Sequence, residues 1–183
     1  MPYPLVRRTV ASIEYASIRI ASYFPSNAIR RLALITFGAS VGRGVAIHRG
    51  LEVRAARRLV IGDDVWLGVD VVLDARGGIV IGDSTSIGDG VQLLSAGHDW
   101  NDEDFRYTTA AVGVGDHCWI NTRSVLLPGA EAENGTVVAA GAVVHGTIGP
   151  FALYGGVPAR FIASRSQEVS YKLNASASKL FWR

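Results

Sequence analysis

The chain has 183 residues, 49% hydrophobic and 19% charged, with a formal net charge of +2, which is enough apolar material for one compact domain and excludes disorder as its main state. Its Lys and Arg residues are scattered rather than gathered on one face with aromatic platforms, which excludes a nucleic-acid groove. The single cysteine, Cys118, can form neither an internal disulfide nor a thiolate metal cage, so nothing points to an oxidising compartment and a cytoplasmic address is expected.

The first element, Thr9 to Phe24, is rich in Ala, Ile and Tyr, but Glu14 and Arg19 interrupt it. It lacks the ~20 apolar residues of a spanning helix and has no small-residue cleavage site after an apolar run. Ile13, Ala16, Ile20 and Phe24, with Ser17 and Ala21 beside them, read as one face of an amphipathic helix ended by Pro25. Two roles are open for that face. It packs against the rest of the protein, or it meets a membrane surface with the help of Arg7, Arg8, Arg19, Arg30 and Arg31.

From Val41 the sequence repeats every six residues: an aliphatic residue, often Gly next, and a small or branched residue four places on. The leading residues are Val41, Ile47 and Val53, then Ile61, Leu67 and Leu73, then Ile81, Ile87 and Leu93, with a two-residue insertion after each of the first two triplets. An interruption spans residues 97–111. The frame then resumes at Val114, Ile120 and Leu126 and is read through Ala132, Val138 and Val144 to Pro150 and Gly156 without insertions. Three hexads make one coil of a triangular prism whose leading side chains stack inward, which predicts an all-β solenoid, a parallel β-helix over residues 37–162. Residues 1–36 are expected to be helical and 163–183 to form a short helix or strap. The positions four places on, from Val45 and Leu51 to Thr136 and Ala142, are small or branched as a crowded corner demands. Ile61-Gly62-Asp63, Ile81-Gly82-Asp83, Ile87-Gly88-Asp89 and Val114-Gly115-Asp116 mark turns where Asp can bond nearby backbone. Arg57 breaks the inward pattern and is expected where an inserted corner loops out.

Together with this repeat, the loop beginning Gly97-His98-Asp99-Trp100 and running to Phe105-Arg106, the Cys118-Trp119-Ile120 hexad, Leu127-Pro128-Gly129 and the closing Gly156-Val157-Pro158-Ala159-Arg160 resemble the left-handed β-helix acyltransferases. The likeness covers residues 37–162. It is nearest to the branch holding the maltose and galactoside O-acetyltransferases and the acetyltransferases of colanic acid biosynthesis. The resemblance implies left-handedness, a homotrimer with active sites between subunits, acetyl-CoA as donor, no metal, and a sugar or glycan hydroxyl as acceptor.

It also implies His98 as the base, and the chemistry fits: an alcohol is a poor nucleophile until a neighbouring imidazole takes its proton as it attacks the thioester. A long loop breaking a regular repeat is a usual place for such a residue; the alternative is a histidine that only decorates the loop. Asp70, one coil earlier, matches an Asn or Asp that faces the acceptor in relatives, although an exposed turn residue would look the same. For coenzyme A the resemblance points to Trp119, Thr122, Ala140, Gly141 and Arg160, small residues suiting close backbone approach and a guanidinium suiting phosphate. Each has a plain packing or surface role as its alternative. Two departures stand out: Gly146 where many relatives carry Lys, and Ala132-Glu133-Asn134-Gly135 in place of Ile-Gly-Asp-Gly. Two further functions compete with acetyl transfer. One is a non-catalytic prism used for binding or assembly; the other is a zinc carbonic anhydrase, for which His48, His98, His117 and His145 lack the close histidine pair of that class.

Overall fold

The computed structural model describes residues 5–173. Two helices, α1 (Leu5–Ala21) and α2 (Asn27–Thr36), precede a parallel β-solenoid. The first face of the prism holds Ser40–Val41, Leu59–Ile61, Ile79–Ile81, Val112–Val114, Glu131–Ala132 and Thr147–Ile148. The second holds Ala46–Ile47, Trp66–Leu67, Ser86–Ile87, Trp119–Ile120, Val137–Val138 and Ala152–Gly155, with Arg160–Ser164 added antiparallel to the last. The third holds Glu52–Arg54, Val72–Asp74, Gln92–Leu94, Val125–Leu126 and Val143–Val144.

Because the pairing is in register, like residues stack. Ile47, Leu67, Ile87, Ile120 and Val138 form one buried column, and Val53, Leu73, Leu93, Leu126 and Val144 another. The corner positions from Val45 to Ala142 are all buried, as the repeat requires. The two-residue insertions become the 3-10 turns Ala56–Arg58 and Ala75–Gly77, and Arg57 is exposed on the first.

The Gly-Asp turns are tied from coil to coil. Asp63 Oδ1 accepts from the Arg43 N–H, Asp83 Oδ1 from Asp63 and Asp116 Oδ1 from Asp83, each at 2.7 Å, and Asn134 Oδ1 accepts from Asp116 at 2.8 Å. Asn134 thus takes over the carboxylate's role, so the altered hexad leaves this corner intact. The backbone and guanidinium donors of Arg43 hold the Asp63 carboxyl below its usual range.

Three expectations need correction. The frame does not run to Pro150 and Gly156: Ala132 pairs with Ile148 and Val138 with Tyr154, so the last coil is two residues shorter. The loss falls at His145-Gly146, where a glycine at φ 71° closes a tighter corner. The N-terminal segment is two helices rather than one. Finally, the face read from sequence points outward: Ile13 and Ile20 of α1 are exposed, as is Phe24 in the bend after it, whereas Glu14 and Ile18 turn inward. Ile18 and Leu34 plug the core at the first-coil end, and the Glu14 carboxylate accepts from the Ala56 N–H at 2.6 Å. At the other end the tail is a strap. Arg165 donates to the carbonyls of His117 and Gly135, Tyr171 to that of His117, and the Leu173 N–H reaches Asp64 at 2.6 Å. Residues 174–183, the rest of the expected helix or strap, lie outside the described residues.

Candidate active site

The interruption is a β-hairpin projecting from the corner between the third and first faces. Ala96–His98 pairs antiparallel with Tyr107–Thr109, so His98 lies opposite Tyr107 at the point where the loop begins. The loop braces itself: Arg106 forms ion pairs with Asp99 at 3.2 Å and Asp102 at 3.3 Å, and Asp99 and Asp102 each accept from a backbone N–H two residues on.

Within this frame the His98 ring is fixed on three sides. Its Nδ1 lies 2.7 Å from the carbonyl oxygen of Phe105. A carbonyl only accepts, so Nδ1 carries the hydrogen and, in the neutral ring, Nε2 keeps the free lone pair. The ring stacks on Phe105, centroids 4.1 Å apart and planes at 5°, and meets the edge of Tyr107 at 5.7 Å. Phe105 adopts φ 49°, a left-handed conformation that L side chains rarely take and that the Arg106 bridges hold in place. Trp100, Phe105 and Tyr107 leave flat apolar rings exposed around the histidine. The guanidinium of Arg76 sits 5.5 Å from the Tyr107 ring.

The other predicted residues gather elsewhere. Asp70, Thr122, Ala140 and Gly141 stand on the corner between the second and third faces, on three coils, all exposed. The Gly141 N–H donates to the Thr122 carbonyl at 3.0 Å, placing the two turns in direct succession. A Cβ added at Gly141 would meet nothing within 4 Å, so the groove is open there. Asp70, at φ 55°, folds its carboxylate over Gly50, where a Cβ would lie only 1.9 Å from Oδ1. Trp119 is half exposed on the adjoining second face, between Ser86 and Val137. Arg160 is exposed at the outer edge of that face and donates to the carbonyl of Ala159.

Two groups therefore emerge, His98 at one corner and the remaining six residues along another corner and its face. One side of the prism separates the corners; at ~3.3 Å per extended residue that is roughly 15–20 Å. In a single protomer the structure does not bring His98 and Asp70 together. What sequence reading missed is the clamp on His98; its signal was the Asp99, Asp102 and Arg106 spacing, which lets one guanidinium close the loop.

Cys118 is buried, and burial pushes its thiol up to about 11, so it is no nucleophile. Burial and the nearby Arg30 hold the His48 imidazole below its ordinary range. Among the described residues no three His, Cys, Asp or Glu side chains are grouped to hold a metal ion, nor is any helix long and apolar enough to cross a membrane.

A prism of six-residue coils with a histidine-bearing hairpin at one corner defines a class, the hexapeptide-repeat acyltransferases, and comparison with known proteins agrees. No family profile matches the chain. It is 31% identical over 136 residues to WcaF of Escherichia coli, assigned as a colanic acid biosynthesis acetyltransferase, covering 74% of this chain and 75% of WcaF. A maltose O-acetyltransferase from Clostridium difficile superposes with a TM-score of 0.83 over 90% of both chains at 21% identity. A hexapeptide-repeat acetyltransferase of Vibrio cholerae, solved with acetyl-CoA, gives 0.81 at 22% identity, over 89% of this chain and 91% of that one. The chain belongs to the hexapeptide-repeat acetyltransferases.

Proposed function

We propose that the protein transfers an acetyl group from acetyl-CoA to a hydroxyl of a sugar or polysaccharide precursor, with His98 as general base, at a site shared between two copies in a homotrimer. The observation that carries this is the His98 Nδ1 to Phe105 carbonyl bond, which leaves Nε2 as the acceptor a base needs. As the acceptor oxygen bonds to the thioester carbon, Nε2 takes its proton. The carbon–sulfur bond then breaks, and the proton passes to the departing thiolate. No covalent enzyme intermediate is required.

The open corner of Thr122, Ala140 and Gly141 gives a pantetheine arm room to lie against backbone, with Trp119 and Arg160 beside it. The Vibrio cholerae relative was solved with acetyl-CoA, and coenzyme A is made in the cytoplasm, where we place the reaction. The sugar acceptor draws on the names of the colanic acid and maltose relatives and on the exposed rings of Trp100, Phe105 and Tyr107, which suit the apolar face of a pyranose. The trimer draws on the separation of the two corners: cyclic packing sets the histidine corner of one protomer beside the open corner of the next, which also lets Asp70 face His98.

The test is release of free thiol from acetyl-CoA in the presence of sugar acceptors. His98→Ala should lose about a hundredfold or more in turnover with the fold intact. Equal turnover in the variant would remove the catalytic assignment.

A further inference from the structure

The helical cap carries apolar side chains on its outer side as well as its inner one: Ile18 and Leu34 enter the core, but others face outward. α1 turns Glu14 toward the prism and exposes Val10, Ile13 and Ile20; α2 buries Arg30, 6% exposed, and exposes Ile29, Leu32 and Ile35. Arg30 is held by the carbonyls of Phe24 and Ile47, and Arg19 by Glu52 and the Gly50 carbonyl, so the inward polar groups are satisfied within the protein. Ile20 and Leu32, 65% and 62% exposed, have no such explanation within one protomer. In α1, Val10, Ile13, Ser17 and Ile20 follow one another at steps of three and four, a single stripe along the helix, with Phe24 exposed in the bend beyond its end. Between α2 and the first coil lies a groove of about 570 Å³, lined by Leu32, Ile35, Ala28 and Val45 with Arg31 and Arg43 beside them.

We infer that this cap docks on the surface of an anionic phospholipid bilayer, the apolar stripe entering the headgroup boundary and the groove accepting part of a lipid. Charge selects this occupant over a second copy. Residues 1–36 carry five arginines against Glu14 alone; Arg19 is paired with Glu52 and Arg30 is buried, which leaves the charges of Arg7, Arg8 and Arg31, while the rest of the chain carries 13 basic and 15 acidic residues, a formal −2. Glu14 is turned inward, so the outward faces of the two helices carry no carboxylate. Two such caps meeting face to face would repel, whereas anionic headgroups attract them. The cap also touches first-coil strands of all three prism faces, so it closes the end of the solenoid and its outer side points away from the body. Arg19 and Arg30, expected from sequence to face the membrane, serve inside the cap instead.

Flotation of the whole protein with vesicles of phosphatidylcholine and phosphatidylglycerol, in about a 2:1 ratio, tests this. The protein should float with these vesicles, at least about tenfold less with phosphatidylcholine alone or in roughly 0.5 M salt. The triple substitution Ile13→Ser, Ile20→Ser and Leu32→Ser should cut flotation by about tenfold or more while leaving circular dichroism and light-scattering mass unchanged. Should the triple variant misfold, Ile20→Ser alone carries the comparison. Absence of flotation, or flotation indifferent to the substitutions, overturns the inference. A change of oligomeric mass in a folded triple variant also overturns it and makes the face an interface between copies. None of these readouts depends on acetyl transfer.

Discussion

Placing His98 and the open groove on different corners makes a quantitative prediction about mixed oligomers. Two variants each spoil one corner: His98→Ala removes the base, and Ala140→Trp fills the groove from an exposed turn without touching the buried core. Each alone should be nearly inactive, His98→Ala at about a hundredth of the parent. In a shared site, activity returns wherever the groove comes from a His98→Ala protomer and the histidine from an Ala140→Trp protomer. Every cyclic trimer that contains both variants has one correctly matched interface out of its three, so about a third of the sites in doubly tagged trimers recover. The assay is thiol release from acetyl-CoA after co-refolding the two variants under separate affinity tags and isolating doubly tagged oligomers. Activity near a third of wild type in the doubly tagged trimers supports the shared site. A mixture no more active than its better parent would refute it and would force the site into one protomer, across a full side of the prism.

The coil-to-coil ladder predicts that Asp116→Ala destabilises by about 1 kcal/mol in urea unfolding, because the Asp83 N–H loses its acceptor; Asp116→Asn, which keeps the oxygen as Asn134 does, should be close to neutral. Leu34 is fully buried where α2 plugs the prism, so Leu34→Ala should cost about 2–5 kcal/mol by the same assay. With the Cys118 thiol raised from 9.0 to about 11, the unfolded chain loses a proton between these pH values that the folded chain keeps. Stability should therefore fall as pH rises through this window, and Cys118→Ala should lack that part of the slope in thermal unfolding. For His48 the sign is opposite: a depressed imidazole stabilises above its ordinary range and the contribution is lost as pH falls, so the acid side of the profile should flatten in His48→Gln.

The prism was legible because each hexad constrains two positions and the columns they form, such as Leu67 over Ile87, are buried without exception after the first coil and before the last. At the end of the solenoid the pattern misled: Pro150 and Gly156 satisfy a loose six-residue frame, but a glycine corner at residue 146 drops two residues, and only the pairing of Ala132 with Ile148 shows it. His98 could be found because a functional loop breaks a strict period. Its clamp could not, since the Phe105 carbonyl is backbone and any residue supplies one; what matters is the turn that aims it. The separation of His98 from Thr122 was invisible for a related reason, as sequence gives the order of corners but not which corners face one another in an assembly. The α1 stripe was seen, but sequence left its neighbour open between the prism and a membrane surface, and the structure turns it away from the prism. An amphipathic pattern states that one face avoids water, not what it meets, and here the inward face of α1 is held by Ile18 in the core and by the Glu14 hydrogen bond to Ala56.

Calorimetric titration of the purified protein with acetyl-CoA tests the central claim most directly. Saturable binding at one site per chain, retained in His98→Ala and abolished in Ala140→Trp, is the predicted result. No binding at millimolar cofactor, or binding indifferent to Ala140→Trp, would contradict the assignment of donor and groove.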